Sequence, residues 1–138
     1  MKNIVVCLAV FLHFGIVSAQ HNLCLHIEGV KKQGGKLYIS LFNTEKSYDQ
    51  RNVYRSLVAN ASSETVSVDI GIPVGEYLFS IYQDNNDNGK LDTNLLGIPK
   101  EPFGFSNYNG KSAPGGFKKH KVLVHETTGA ITIHLYNL

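Results

Sequence analysis

The chain has 138 residues, 43% hydrophobic and 17% charged, with a formal net charge of +2. So much apolar content with so little net charge argues against a disordered chain. The 13 Lys and Arg against 11 Asp and Glu leave no excess of cations for a phosphate backbone, which argues against nucleic-acid binding. The length suits one domain.

The chain begins with Lys2 and then runs apolar over residues 4–17, broken only by His13. Val17, Ser18 and Ala19 place small residues where a signal peptidase cuts. Residues 1–19 are therefore expected to be a signal peptide and residues 20–138 a single exported domain, periplasmic, cell-surface or secreted. A retained anchor is the competing reading, but the run is short for a span of about 20 residues. No other segment is long and apolar enough to cross a bilayer. Cleavage removes Cys7 and leaves Cys24 alone, so no intrachain disulfide forms. Cys24 lies in an alternating segment and is expected to be a small core residue.

The periodicity along the domain is mostly two, the mark of half-buried strands. Leu23, Leu25 and Ile27 alternate with Cys24, His26 and Glu28, and Leu37, Ile39 and Leu41 alternate with Tyr38, Ser40 and Phe42. With Gly34-Gly35 between them, these runs read as a hairpin. Residues 47–57 lack alternation and suggest a loop with a helical turn, carrying Tyr48 and Tyr54 to the edge of the core. Residues 65–70 form another strand. Residues 76–83 carry Tyr77, Phe79 and Ile81 on one face and Leu78, Ser80 and Tyr82 on the other, as a central strand would. Residues 84–118 are rich in Asp, Asn, Gly and Pro and show little strand pattern. Residues 121–125 and 130–136 are the last two strands, joined by a turn near Gly129. The pattern describes an all-β, antiparallel β-sandwich of about seven strands with one long loop; a small barrel is the alternative.

The chemically richest stretch is Asp84-Asn85-Asn86-Asp87-Asn88-Gly89-Lys90-Leu91-Asp92. It matches the first half of a calcium loop, D-x-[DN]-x-[DN]-G. Asp84, Asn86 and Asn88 offer side-chain oxygens, Lys90 a backbone carbonyl, and Asp92 a further carboxylate; calcium seeks such hard oxygens. Leu95 stands where an EF-hand has its closing Glu, and a strand leads in instead of a helix, so the loop is not an EF-hand. The sixth ligand would come from Asn94, Glu101 or water. The other reading is a plain Asx-rich turn, since Asn88-Gly89 is a hairpin signal and Asp and Asn fold back on their own backbone.

The same stretch carries a resemblance. Residues 82–94, running on through Leu95-Leu96-Gly97-Ile98-Pro99-Lys100-Glu101-Pro102-Phe103-Gly104-Phe105-Ser106-Asn107, resemble the signature of the domain-of-unknown-function family 2141, exported bacterial proteins. Pro73-Val74-Gly75-Glu76-Tyr77 and Leu41-Phe42-Asn43 resemble other parts of that family, and the likeness covers nearly all of residues 22–138. It implies a secreted domain with an immunoglobulin-like or transthyretin-like β-sandwich, and no established activity. The chain departs from the commoner pattern at Gln83, where His is expected, and at Asn86 and Asp87, which swap the usual order of Gly and Asn. The first change removes an imidazole that could face a metal.

Beyond the acidic stretch, Phe103, Phe105, Asn107 and Tyr108 on a glycine-rich loop are candidate binding residues. The alternative is that the aromatics pin the loop over one end of the sandwich. His26, His125 and His134 lie in expected strands and would bind zinc or copper if they converged. The basic run Lys118-Lys119-His120-Lys121 reads as a solvated edge. No nucleophile elbow and no zinc-protease motif is present. The leading expectation is a non-enzymatic module that binds an extracellular or periplasmic ligand or protein through residues 84–117, with calcium as a candidate cofactor. A small hydrolase using Asp92 and Glu101 and a metal carrier using the histidines are the alternatives.

Overall fold

The computed structural model describes residues 19–32 and 34–138. The expected signal segment lies outside the described residues, Ala19 excepted. Eight strands and two short helices follow in the order β1 (His21–Glu28), β2 (Lys36–Phe42), α1 (Glu45–Asp49), β3 (Arg55–Asn60), β4 (Thr65–Ile72), β5 (Gly75–Asp84), β6 (Phe103–Phe105), α2 (Phe117–His120), β7 (Val122–Val124) and β8 (Ala130–His134). One sheet has the order β4-β1-β8; the other has β3-β2-β5-β6, and β7 also pairs with β5. All pairs are antiparallel except β1 with β8. The fold is the expected all-β sandwich.

The alternation of the strands builds the space between the sheets. Leu23, Leu25 and Ile27 of β1 and Leu37, Ile39 and Leu41 of β2 are all 0% exposed and share one core with Ile70, Ile72, Phe79 and Ile81. The expected β1–β2 hairpin does not form. Both strands carry a full apolar face, and side by side these faces would lie in one plane with nothing opposite. In facing sheets each covers the other. β7 and β8 also part company, one joining β5 and the other β1. β5 is the central strand expected, and its outer Leu78 is covered by a second cluster of Phe42, Tyr48 and Phe117, with Phe105 packed against it.

Three elements escaped the sequence pattern. β3 is an edge strand paired only to β2, with alternate residues exposed. β6 and α2 lie inside the stretch expected to be loop. α1 does fall in the expected helical region, where Thr44 caps it through a reciprocal pair with Ser47. Tyr48 enters the core edge, whereas Tyr54 stays 45% exposed. Cys24 is not in the core. It shares the outward face of β1 and is half-buried, because Leu23 and Leu25 take the inward face.

Candidate functional site

The acidic stretch leaves β5 at the end of the sandwich that also holds the β1–β2 connection. Two buried carboxylates organise it. Asp84, 0% exposed, accepts the backbone N–H of Asn88 at 3.2 Å and of Gly89 at 2.7 Å. Glu101, 5% exposed, accepts the N–H of Asn85 at 2.8 Å and of Asp92 at 3.0 Å. A carboxylate takes several N–H donors without a counter-ion, and such charge-assisted bonds are the strong ones. Asn86 and Asn88 turn their side-chain N–H groups to Asp92, at 2.6 Å and 3.0 Å. These two amides, with help from Lys100 and Lys90, hold the Asp92 carboxyl below the usual carboxylate range. Asn88 Oδ1 accepts the Lys90 N–H at 2.9 Å. Asp84, Asn86, Asn88 and Asp92 thus close on one another as an Asx network, which Lys90 joins through its backbone N–H. Among the described residues, no group of three or more His, Cys, Asp or Glu is placed to hold a metal ion.

From this base a narrow finger projects. Lys100 N–H reaches Asp92 O at 2.8 Å, and Thr93 bridges Pro99 in antiparallel fashion. At the tip, Asn94 N–H donates to Ile98 O and Gly97 N–H to Asn94 O, while Asn94 Oδ1 accepts the N–H groups of Leu96 and Ile98. Gly97 sits at φ 75°, a left-handed turn that disfavours any residue with a Cβ. Leu95 and Leu96 stand at the tip, 106% and 84% exposed, with Ile98 39% exposed beside them. Sequence reasoning passed over these residues. Their signal was an apolar pair with no strand alternation, set among turn formers.

The candidate binding residues beyond the finger face inward. Phe103 is 2% exposed and Tyr108 8%, and the two rings lie 5.8 Å apart. Phe105 is half-buried, stacks on the His120 ring at 5.7 Å and meets Tyr108 edge-on. Only Asn107 is exposed, and its side-chain N–H is tied to Lys121 O at 2.9 Å. Phe103, Phe105 and Tyr108 therefore pin the long loop over the sheet, the alternative weighed for them, while Asn107 stays at the surface. The anchor is made by β6, whose backbone pairs with β5, and by Ser106, whose Oγ accepts the Phe79 N–H. Gly104 is needed there, since a Cβ would collide with the His134 carbonyl.

The run Lys118-Lys119-His120-Lys121 is also more than a solvated edge. Lys118 pairs with Glu45 and Lys121 with Glu76. His120 is 0% exposed, accepts the Gly115 N–H at Nε2, and its Nδ1 meets Ser106 O at 3.1 Å. Those partners set the proton on Nδ1. The three histidines expected in strands do not converge, and His125 lies just beyond β7. His26 bonds Ser67, His134 lies 3.8 Å from Glu28, and His125 lines an open cleft of about 580 Å³ with Val74, Glu126 and Thr127 at the opposite end. Gln83 is buried, and its amide is spent on backbone. It takes the Lys31 N–H and donates to the carbonyls of Lys31 and Gly34, clamping the β1–β2 connection. Removal from water, and then the neighbouring Asp69, raise the Cys24 thiol above its ordinary value, which disfavours the reactive thiolate.

No curated protein and no solved structure matches the chain. A family model does, over residues 25–132, which takes in both sheets, the acidic loop and the finger. The chain belongs to the family of uncharacterized proteins conserved in bacteria, DUF2141.

Proposed function

We propose that the protein is an exported, non-enzymatic β-sandwich that engages a partner through the finger of residues 92–100. The observation that carries this reading is the pair Leu95 and Leu96, held clear of the body on a hydrogen-bonded support. A side chain so exposed is normal when single, but two adjacent leucines and Ile98 form a patch in want of cover. Export rests on the apolar run and the small residues before Gln20. Against the hydrolase alternative stands Glu101, whose two oxygens are both taken by backbone N–H groups, and Asp92, which is held by two Asn side chains. A catalytic carboxylate must be free to meet substrate. A photoreactive side chain at position 96 tests the reading. It cross-links in the cell envelope to a defined partner, and the same group at Val74, on the opposite end, does not. Equal, diffuse labelling from both positions refutes it.

A calcium ion in the acidic loop is the second reading, favoured by the convergence of Asp84, Asn86, Asn88 and Asp92 on hydrogen-bonding terms with one another. To bind it, both Asn side chains must turn their oxygens to the centre. With two carboxylates contributing, the affinity falls near the 10⁻⁴–10⁻³ M of extracellular modules, roughly. Calorimetry with millimolar calcium and melting in chelator decide it: heat and a raised Tm support the ion, and a flat titration leaves the Asx network as the whole support.

A further inference from the structure

Asn-Gly-Lys occurs twice in the chain, at residues 88–90 in the acidic loop and at residues 109–111 beyond β6. The two copies fold alike. Gly89 and Gly110 sit at φ 74° and 72°. Each Asn Oδ1 accepts the N–H of its own Lys, at 2.9 Å for Lys90 and 3.1 Å for Lys111. We propose that Asn109 is a site of spontaneous deamidation, at which the Gly110 nitrogen attacks the side-chain amide, and that the acidic loop protects Asn88 from the same reaction.

The chemistry needs only hydroxide and water. Hydroxide takes the proton of the Gly110 N–H, and the nitrogen attacks Cγ of Asn109. The bond from Cγ to Nδ2 then breaks, and the departing nitrogen takes a proton from water and leaves as ammonia, which returns the hydroxide. Water opens the cyclic imide at either carbonyl, giving aspartate or isoaspartate. Glycine suits the attacking position because no Cβ shields its nitrogen. The Lys111 N–H already points at Oδ1, the oxygen on which negative charge develops. Lys90 does the same for Asn88, so this feature does not separate the two copies.

What separates them is the hold on the reacting groups. The Gly89 N–H donates to the buried Asp84 carboxylate at 2.7 Å, and Asn88 Nδ2 donates to both oxygens of Asp92 at 3.0 Å. A proton shared with a carboxylate is harder to remove, and that charge-assisted bond must break before the nitrogen can turn to Cγ. Among the described residues, neither the Gly110 N–H nor Asn109 Nδ2 has a hydrogen-bond partner. Exposure alone predicts the opposite order, since Gly89 is exposed and Gly110 is half-buried against Tyr136. Conversion at residue 109 acts on the anchor of the long loop. The Tyr108 hydroxyl donates to Ser112 O at 2.6 Å and so spans this turn, and the Tyr108 ring meets Tyr136 at 5.5 Å. Isoaspartate lengthens the backbone inside that span, where even a Cβ on Gly110 would collide with the Tyr136 ring.

The test holds the full chain at mildly alkaline pH and follows both peptides by mass spectrometry, with fragmentation that separates isoaspartate from aspartate. In the folded protein, Asn109 converts about 10- to 100-fold faster than Asn88, the rate ratio to which breaking one hydrogen bond to a charged acceptor converts. In urea the two copies convert at similar rates, because both are Asn-Gly-Lys and neither is held. Asp84→Ala frees the Gly89 N–H and speeds conversion at Asn88 towards the rate at Asn109, in a variant that circular dichroism shows to be folded. Equal rates in the folded parent chain, or faster conversion at Asn88, overturn the proposal whether or not Asp84→Ala folds. The same excess at Asn109 in urea traces the difference to flanking sequence and overturns the protection assigned to the acidic loop.

Discussion

Removing the Glu101 carboxylate tests whether the acidic loop supports itself. Its two oxygens hold the N–H groups of Asn85 and Asp92, sixteen and nine residues away in sequence, and the side chain is 5% exposed. Each bond is made to a charged acceptor and contributes about 1.5–3 kcal/mol. Glu101→Ala leaves two half-buried N–H groups without their charged acceptor, a loss of up to about 3–6 kcal/mol. A domain of ordinary stability, about 5–15 kcal/mol, loses a large share of it. Glu101→Gln retains one carbonyl oxygen and sets its NH₂ against the second donor, so its loss is at least that of one such bond, about 1.5–3 kcal/mol. Urea unfolding followed by circular dichroism gives the free energies, and amide hydrogen exchange at Asn85 and Asp92 shows where they arise. An Ala variant within about 1 kcal/mol of the parent, with both amides still protected, refutes the assignment of Glu101 as the loop's staple.

Other perturbations separate support from contact. Phe103→Ala opens a cavity beside Tyr108 and lowers stability by about 3–5 kcal/mol in urea; a loss under 1 kcal/mol would return Phe103 to the contact surface. His120→Phe fills the same space but strands Ser106 O and Gly115 N–H, so it costs about 1–3 kcal/mol for each group that water cannot reach, and near-ultraviolet dichroism of Tyr108 changes with it. Asp92 titrates below the ordinary aspartate range in the folded chain, because the Asn86 and Asn88 amides favour its charged form. Its contribution is therefore complete above the unfolded pKa and is lost as pH falls through the lower, folded one. Carboxyl carbon NMR checks this, and a midpoint at or above the value in an unstructured peptide contradicts it.

The sandwich was legible because burial on one face of a strand imposes period two. That rule found β1, β2, β4, β5 and the two last strands, and placed β5 at the centre. It does not say which strands are neighbours. Leu23–Ile27 and Leu37–Leu41 read as a hairpin, yet they face each other across the core, since pairing depends on contacts distant in sequence. β6 was hidden because Phe103-Gly104-Phe105 is too short for a period, and Gly104 is there for close approach to the His134 carbonyl. The oxygen-rich loop was visible from residue spacing, and so was its capacity to fold back on its own backbone. What stayed hidden was direction. The aromatics that looked like a contact surface turn inward onto His120, and Leu95 and Leu96, which composition alone would bury, turn out to water.

Residues 92–100 form a preset finger instead of a loose loop. Amide hydrogen exchange on the free protein tests it most directly at Leu96 and Ile98, whose N–H groups both end on Asn94 Oδ1. Protection of both amides well above the free-peptide rate, despite the full exposure of the Leu95 and Leu96 side chains, is the predicted result. Exchange at the free-peptide rate would mean that no tip is preformed and that the loop is loose until bound.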